Sequence, residues 1–494
     1  MESSYSINEL RIYHLSSSEP EQTWRKLQAD FPMLSDWGVA TLRNGLDGHV
    51  QTIACEPCYN CKDHRNLYSH FYSKKFLRGS PNCNRLHFFS RAGVTAEDIL
   101  LGTGDLEQNY IGYSVVRPVV PRCLGRTVLD PAKVGKKFED GFYLLRTEFR
   151  VHINGRPYDV KGYPYTSQDA DATLCGQSAI WGVCRYLSER YKTYGELYPY
   201  DFISMTETAQ GRTAPYRGMT HTDYCKILSE FGTFPVYRMV QRPNQTGGFD
   251  WETETFRDLC TYVESGFPVL ASLRSGTEGH VVTLIGHTIK DSIPTVGEAD
   301  FLDSTDFLHQ FIVVDDNFFP YALLGPEGDL ENYSEKFSIK NIVVGTCPLP
   351  EKVFLRAEHA RKKAMAVCEK AKAEIYRTGK GPYVTRLFIT TGTAFKKKKL
   401  DTPSDQASAF VTKLHLPHFL WVMEVSPIQL YKKRLVTTEI VLDPTAGFFE
   451  EGTIYMRVGN TVKAFVEGKT MEKQLEAPVE FPLYTHNLGE KNAC

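Results

Sequence analysis

Apolar residues recur every three to four positions through LCGQSAIWGVCRYLSERY (174–191), MTHTDYCKILSEFG (219–232) and TETFRDLCTYVESG (253–266), which predicts three helices. The second is bounded by Thr222 or Asp223 near its start and Gly232 just past its end, and the third ends the same way at Gly266. The pattern then changes to short apolar, β-branched runs, FPVLASL (267–273), HVVTLIGH (280–287) and FIVVDD (311–316), separated by polar loops and read as strands. Helices followed by strands predict a helical layer packed on an antiparallel sheet.

On either side of this block the pattern differs. Up to about residue 150, short apolar runs such as RLHFFS (85–90) and YIGYSVVRPVVP (110–121) alternate with turn residues and read as α+β. The stretch NGRPYDVKGYPYTSQDAD (154–171) is rich in Gly, Pro and Tyr and marks a change of character. After about 350, EKVFLRAEHARKKAMAVCEKAKAEIYR predicts a long amphipathic helix with Val353, Ala357, Ala360, Ala364 and Cys368 on one side. RLFITTGTAF, HFLWVMEV, LVTTEIVL and TIYMRVG follow it as strands. The expected organisation is therefore three parts: residues 1–155, 156–348 and 349–494, with a central helix-on-sheet domain flanked by two mixed α/β domains.

A chain of 494 residues that is 42% hydrophobic, 12% aromatic and 23% charged can build more than one core. Its 57 basic and 59 acidic side chains nearly cancel, so no overall field attracts nucleic acid or an anionic membrane. The first twenty residues lack the basic and apolar regions of a secretory signal, and no uninterrupted apolar stretch approaches membrane-spanning length. A cytoplasmic location is expected. Twelve dispersed cysteines fit reduced thiols better than a disulfide scaffold.

Local context separates these thiols. Cys175 follows an irregular approach and opens a helix, where unpaired N–H groups and the macrodipole favour a negative sulfur. Gly176 behind it lets the backbone turn tightly and an acyl group come close. Gln168, seven residues upstream, can offer its amide to a developing oxyanion, with the Cys175 N–H as second donor. His280, just after a glycine at a strand end, is the candidate base. Asp315, Asp316 or Asn317 at the end of the next strand could orient its ring; alternation along a strand sends Asp315 and Asp316 to opposite faces, so one of them serves.

The pattern Gln168-x6-Cys175-Gly176, then Gly279-His280-VVTLIG, then VV-Asp315, resembles the papain-like cysteine peptidase superfamily, closest in texture to the branch that cleaves after double-glycine leaders and its bacterial relatives. The resemblance covers about residues 160–325. It implies a papain-like central domain with Cys175 as nucleophile, His280 as base, Asp315 as orienting residue and Gln168 in the oxyanion hole. It implies thiol-dependent hydrolysis of a peptide or isopeptide bond without a cofactor, on a protein or peptide substrate. The three-part architecture adds the expectation that the flanking domains select that substrate or restrain the site and offer surfaces for a protein partner. The same machinery serves acyl transferases, deamidases and transglutaminase-type enzymes, and the fold also serves as a non-catalytic scaffold.

Other polar features have plainer expectations. Cys184, nine residues into the helix, is expected in the core, and His287 is expected as an ordinary strand-end histidine. The series Cys55, Cys58, Cys61 and His64 has ligand types suited to zinc, but four donors at uniform two-residue gaps are no standard zinc module, and reduced thiols are expected there. Lys396 to Lys399 reads as a solvated loop.

Overall fold

The computed structural model describes residues 9–15, 20–76, 79–134, 142–206, 218–245, 248–290, 297, 301–326, 337–400, 406–447, 449–466 and 469–487. The fold is mixed α and β, with several antiparallel sheets. At its centre lies a seven-stranded sheet in the order Ala322–Leu324, Leu308–Val314, Glu278–Ile289, Val269–Ser275, Ile342–Leu349, Phe234–Met239, with Phe142–Leu144 also pairing to Glu278–Ile289. All of its pairings are antiparallel.

The central strands are apolar nearly throughout because both faces are covered. Leu270, Val281 and Ile285 face Ile180 and Val183 of the helix Cys175–Arg190. Their neighbours Val269, Ala271, Val282 and Leu284 face Leu259 and Val263 of the helix Thr253–Glu264. Alternation along the strand thus assigns one helix to each side of the sheet.

Each of these cores extends into a flank. The first includes Leu86, Ile111, Leu124 and Leu129 of the N-terminal five-stranded sheet, Arg11–His14, Thr52–Tyr59, Cys83–Phe89, Tyr110–Val116 and Leu124–Leu129. The second takes in Ala360 and Ala364 of the helix Ala357–Lys370 and Leu387, Trp421 and Met423 of a C-terminal seven-stranded sheet. Apolar packing therefore runs across residues 155 and 348. The first of these positions falls in the turn Asn154-Gly155 of a hairpin, Thr147–Ile153 with Arg156–Gly162, where both residues adopt positive φ (46° and 91°).

A buried polar cluster joins the C-terminal sheet to the centre. Arg386 donates to Glu264 at 2.9 Å, to Glu424 at 3.0 Å, to the Tyr484 carbonyl at 2.7 Å and to the Tyr143 hydroxyl. His287, expected as an ordinary strand-end residue, is buried and bonded to the other oxygen of Glu264 at 3.0 Å.

Three local expectations change. The single long helix expected from 351 with Val353 on its inner side begins at Ala357, after Val353, and is interrupted at Ala371 before a short helix Lys372–Ile375. The cap of the helix His221–Glu230 is Thr220, whose hydroxyl and Asp223 form a capping box, rather than Thr222 or Asp223 itself. The Lys396–Lys399 tract lies in a helix, Gly392–Leu400, not a loop. Lys399 reaches Glu439 at 2.7 Å and Lys396 reaches the Leu414 carbonyl at 2.6 Å, so these amines are held by neighbouring segments. Among the described residues no helix is long and apolar enough to cross a membrane.

Candidate functional site

Cys175 is the first residue of its 16-residue helix and is partly exposed. The first intrahelical bond is Ser178 N–H to the Leu174 carbonyl at 3.0 Å, so the N–H groups of Cys175, Gly176 and Gln177 precede the helical ladder. Gln177 turns back to accept the Leu174 N–H at 3.1 Å, which fixes the entry of the chain.

The approach to Cys175 is organised by Asp169, a residue with no role assigned from sequence. One carboxylate oxygen accepts the N–H groups of Asp171, Ala172 and Thr173 at 3.0, 2.8 and 2.7 Å, and the other accepts the Tyr72 hydroxyl at 2.6 Å. Ala170 stands at φ 61° inside this turn. An Asp followed by small residues is a turn signal, but Tyr72 comes from 97 positions away and leaves no local mark. Ser167 and Tyr165 attach the same segment to the strand Leu124–Leu129 of the N-terminal sheet.

Gly176 has a packing reason that the sequence did not reveal. A Cβ there would lie 2.5 Å from the Tyr224 hydroxyl, so the glycine admits the neighbouring helix.

His280 is the third residue of its strand, paired with Leu273, and its ring stacks on Phe337 with centroids 5.8 Å apart and planes at 27°. Its Nε2–H donates to Asp315 Oδ2 at 2.8 Å, and the ring also shares a hydrogen bond with the Cys175 thiol. With Nε2 committed to Asp315, Nδ1 is the nitrogen left for the sulfur. Burial disfavours the charged ring, but the Asp315 carboxylate, the hydrogen bonds to Asp315 and Cys175, and the charge of Asp316 outweigh it and hold the imidazolium up to about 11.

The strand carrying the acids ends at Val314, so side-chain alternation stops before Asp315. The two aspartates therefore do not point to opposite faces: Asp316 Oδ1 also approaches His280 Nε2, at 3.9 Å. Asp315 makes the hydrogen bond, and its second oxygen accepts the N–H and the Nδ2–H of Asn317 at 2.8 and 3.0 Å. Asp316 is buried, and its carboxyl is pushed up to about 7 by burial and by Asp315, against the opposing pull of His280 and Arg122.

Gln168 lies against this group, but its amide donates to Asn317 Oδ1 at 3.2 Å. An amide carries two hydrogens, so one donor remains beyond that bond. Arg122 and Trp37 add a contact the sequence did not reveal: the guanidinium sits 5.1 Å from the indole and points a nitrogen at the Asp316 carbonyl at 3.5 Å.

The remaining candidates lie apart. Cys184 is buried in the core, and burial pushes its thiol up. No three of Cys55, Cys58, Cys61 and His64 converge on a common point. Cys55 and Cys58, three apart on the strand Thr52–Tyr59, do not share a face, and Cys58 is exposed at φ 55°. Cys61 and Cys83 are free thiols that share a hydrogen bond, and the His64 ring is hydrogen-bonded to the Ser80 carbonyl at 2.9 Å. Among the described residues the group able to share an ion is His280, Asp315 and Asp316. No protein-family model, no curated protein and no solved structure matches this chain.

Proposed function

We propose that this chain is a cysteine peptidase whose central part is papain-like, with Cys175 as nucleophile, His280 as base and Asp315 as the residue that orients it. The observation that carries the reading is the continuous relay from Asp315 Oδ2 through the His280 ring to the Cys175 thiol, assembled from two strand ends and a helix N-terminus. A structural cysteine has no need of a buried imidazole and carboxylate aimed at it.

In this scheme the Cys175 thiolate attacks the peptide carbonyl and forms the C–S bond. The oxyanion is met by N–H groups of the first helical turn, with the spare Gln168 hydrogen as a further donor. The C–N bond breaks as imidazolium Nδ1–H protonates the leaving amine. Water, deprotonated by the now neutral His280, then attacks the thioester and releases the acid and the thiol. The substrate is a protein or peptide in the cytoplasm, selected by the flanking regions. An amine in place of that water turns the same acyl-enzyme into a transferase.

The test is reaction with a peptidyl electrophile, followed by mapping of the modified cysteine. Exposed Cys58 and half-buried Cys225 provide internal controls. Fast labelling confined to Cys175, abolished in Cys175→Ala and strongly slowed in His280→Ala, is expected. Labelling of Cys175 no faster than Cys58 would reject the reading and favour a non-catalytic scaffold.

A further inference from the structure

We propose that the face of His280 turned away from Cys175 is a binding site for a divalent transition-metal ion of the Zn2+ type, held by His280 Nε2, Asp315 and Asp316, and that its occupancy silences the thiol. The silencing rests on the reading of Cys175 and His280 given above; the metal site stands on its own geometry.

Asp316 is the observation that calls for a ligand. It is 4% exposed, and neither of its carboxylate oxygens has a hydrogen-bond partner among the described residues. A buried carboxylate without donors is costly in its charged form unless a cation or a proton meets it. One of those oxygens is aimed at the nitrogen that Asp315 already engages, and the three donor atoms lie within 4.8 Å of one another.

The spacing suits a small ion. Zinc bonds of about 2.0–2.2 Å in tetrahedral geometry set neighbouring ligand atoms about 3.4 Å apart. The observed separations from Nε2, 2.8 Å to Asp315 and 3.9 Å to Asp316, lie on either side of that value, so each carboxylate moves by about half an ångström. The set of one imidazole and two carboxylates selects for zinc, cobalt or manganese over calcium, which takes oxygen ligands.

Binding takes the Nε2 lone pair and releases the Nε2 proton to solvent. The remaining ring hydrogen stays on Nδ1 of what is now a metal-bound neutral imidazole and could leave only by making an imidazolate, so the ring no longer cycles as acid and base for the thiol, and it is fixed in place. The thiol, on the Nδ1 side, is not a ligand.

The experiment uses the full chain freed of metal with a chelator. Co2+ absorption reports the ligands, and calorimetry with Zn2+ reports affinity, for wild type, Asp316→Asn and Cys175→Ala. The expected result is a cobalt spectrum without a sulfur-to-metal charge-transfer band, unchanged binding in Cys175→Ala, and Zn2+ affinity at least about tenfold weaker in Asp316→Asn. Zn2+ should also slow alkylation of Cys175 in wild type, reversibly on chelation. Wild-type affinity in Asp316→Asn overturns the proposal, as does a sulfur band lost in Cys175→Ala. Should Asp316→Asn fail to fold, the wild-type cobalt spectrum decides by itself. Failure of the peptidase reading is a separate result, read as an unreactive Cys175 in the metal-free protein.

Discussion

Replacing Asp315 by Asn changes the charge beside His280 without changing its shape, and the surrounding hydrogen bonds fix how the new amide must turn. Asp315 accepts on both oxygens, from His280 Nε2–H on one side and from two Asn317 donors on the other. An amide can keep only one acceptor. Turning its oxygen to Asn317 opposes one N–H, whereas turning it to His280 opposes two, so the NH2 group should face Nε2. The ring then loses its Nε2 proton, and a neutral ring with hydrogen on Nδ1 cannot accept the Cys175 proton. The energy at stake is large: holding the imidazolium up to about 11 rather than the usual 6.5 corresponds to on the order of 6 kcal/mol at 1.36 kcal/mol per pKa unit. Asp315 supplies its largest favourable part. The expected outcome is turnover lower by about 10^4 with the fold intact. The assay is a histidine NMR titration of metal-free protein, with 15N shifts to identify the tautomer, alongside the alkylation rate of Cys175. Wild-type His280 should remain charged through neutral pH, and in Asp315→Asn it should be neutral at pH 7 while Cys175 can still be alkylated. An imidazolium that persists at pH 7 in Asp315→Asn would refute the reasoning and move the orienting role to Asp316.

Asp169→Ala strips four hydrogen bonds from the approach to Cys175 and leaves three backbone N–H groups without acceptors, so a stability loss on the order of 3 kcal/mol is expected in denaturant unfolding; an unchanged midpoint would show that the loop is held otherwise. Gly176→Ala should cost about 1–3 kcal/mol through the clash with the Tyr224 hydroxyl, and Tyr224→Phe should recover most of it in the double variant. Simple additivity would mean that the strain lies elsewhere. His87, buried between Tyr110 and Glu56, has its protonation pushed down to about 4 by burial, against the pull of Glu56. The unfolded chain binds that proton below about 6.5 and the native state only below about 4, so stability falls as pH drops through this window, by at most about 1.4 kcal/mol per pH unit. His87→Asn should remove that slope, which equilibrium unfolding between pH 7 and pH 4 would detect.

Much of the chain was legible because the signals are local. Periodicity predicts a helix ending at Gly266, and the helix runs Thr253–Glu264 with Gly266 at φ 98°. The apolar runs at 267–273, 280–287 and 311–316 overlap adjacent strands of one sheet, with the last strand ending at Val314. Cys175 at a helix start comes from the break between a Pro- and Gly-rich approach and a helical period. These features depend on residues within a few positions of one another, whose steric and hydrogen-bonding preferences act before any long-range contact forms.

In the central block the sequence by itself determined which segments become helices and strands and placed Cys175 and His280 near their ends. Tertiary structure decided which of those ends meet. The end of a strand at Val314, not alternation along it, brings both Asp315 and Asp316 to His280. A tyrosine from another helix packs where a side chain at Gly176 would stand. Strand geometry separates Cys55 from Cys58 despite their regular spacing, and Arg386 finds Glu264 from 122 positions away. Such encounters are set by sheet register and by loops beyond the last paired residue, where no short-range periodicity constrains the direction of a side chain.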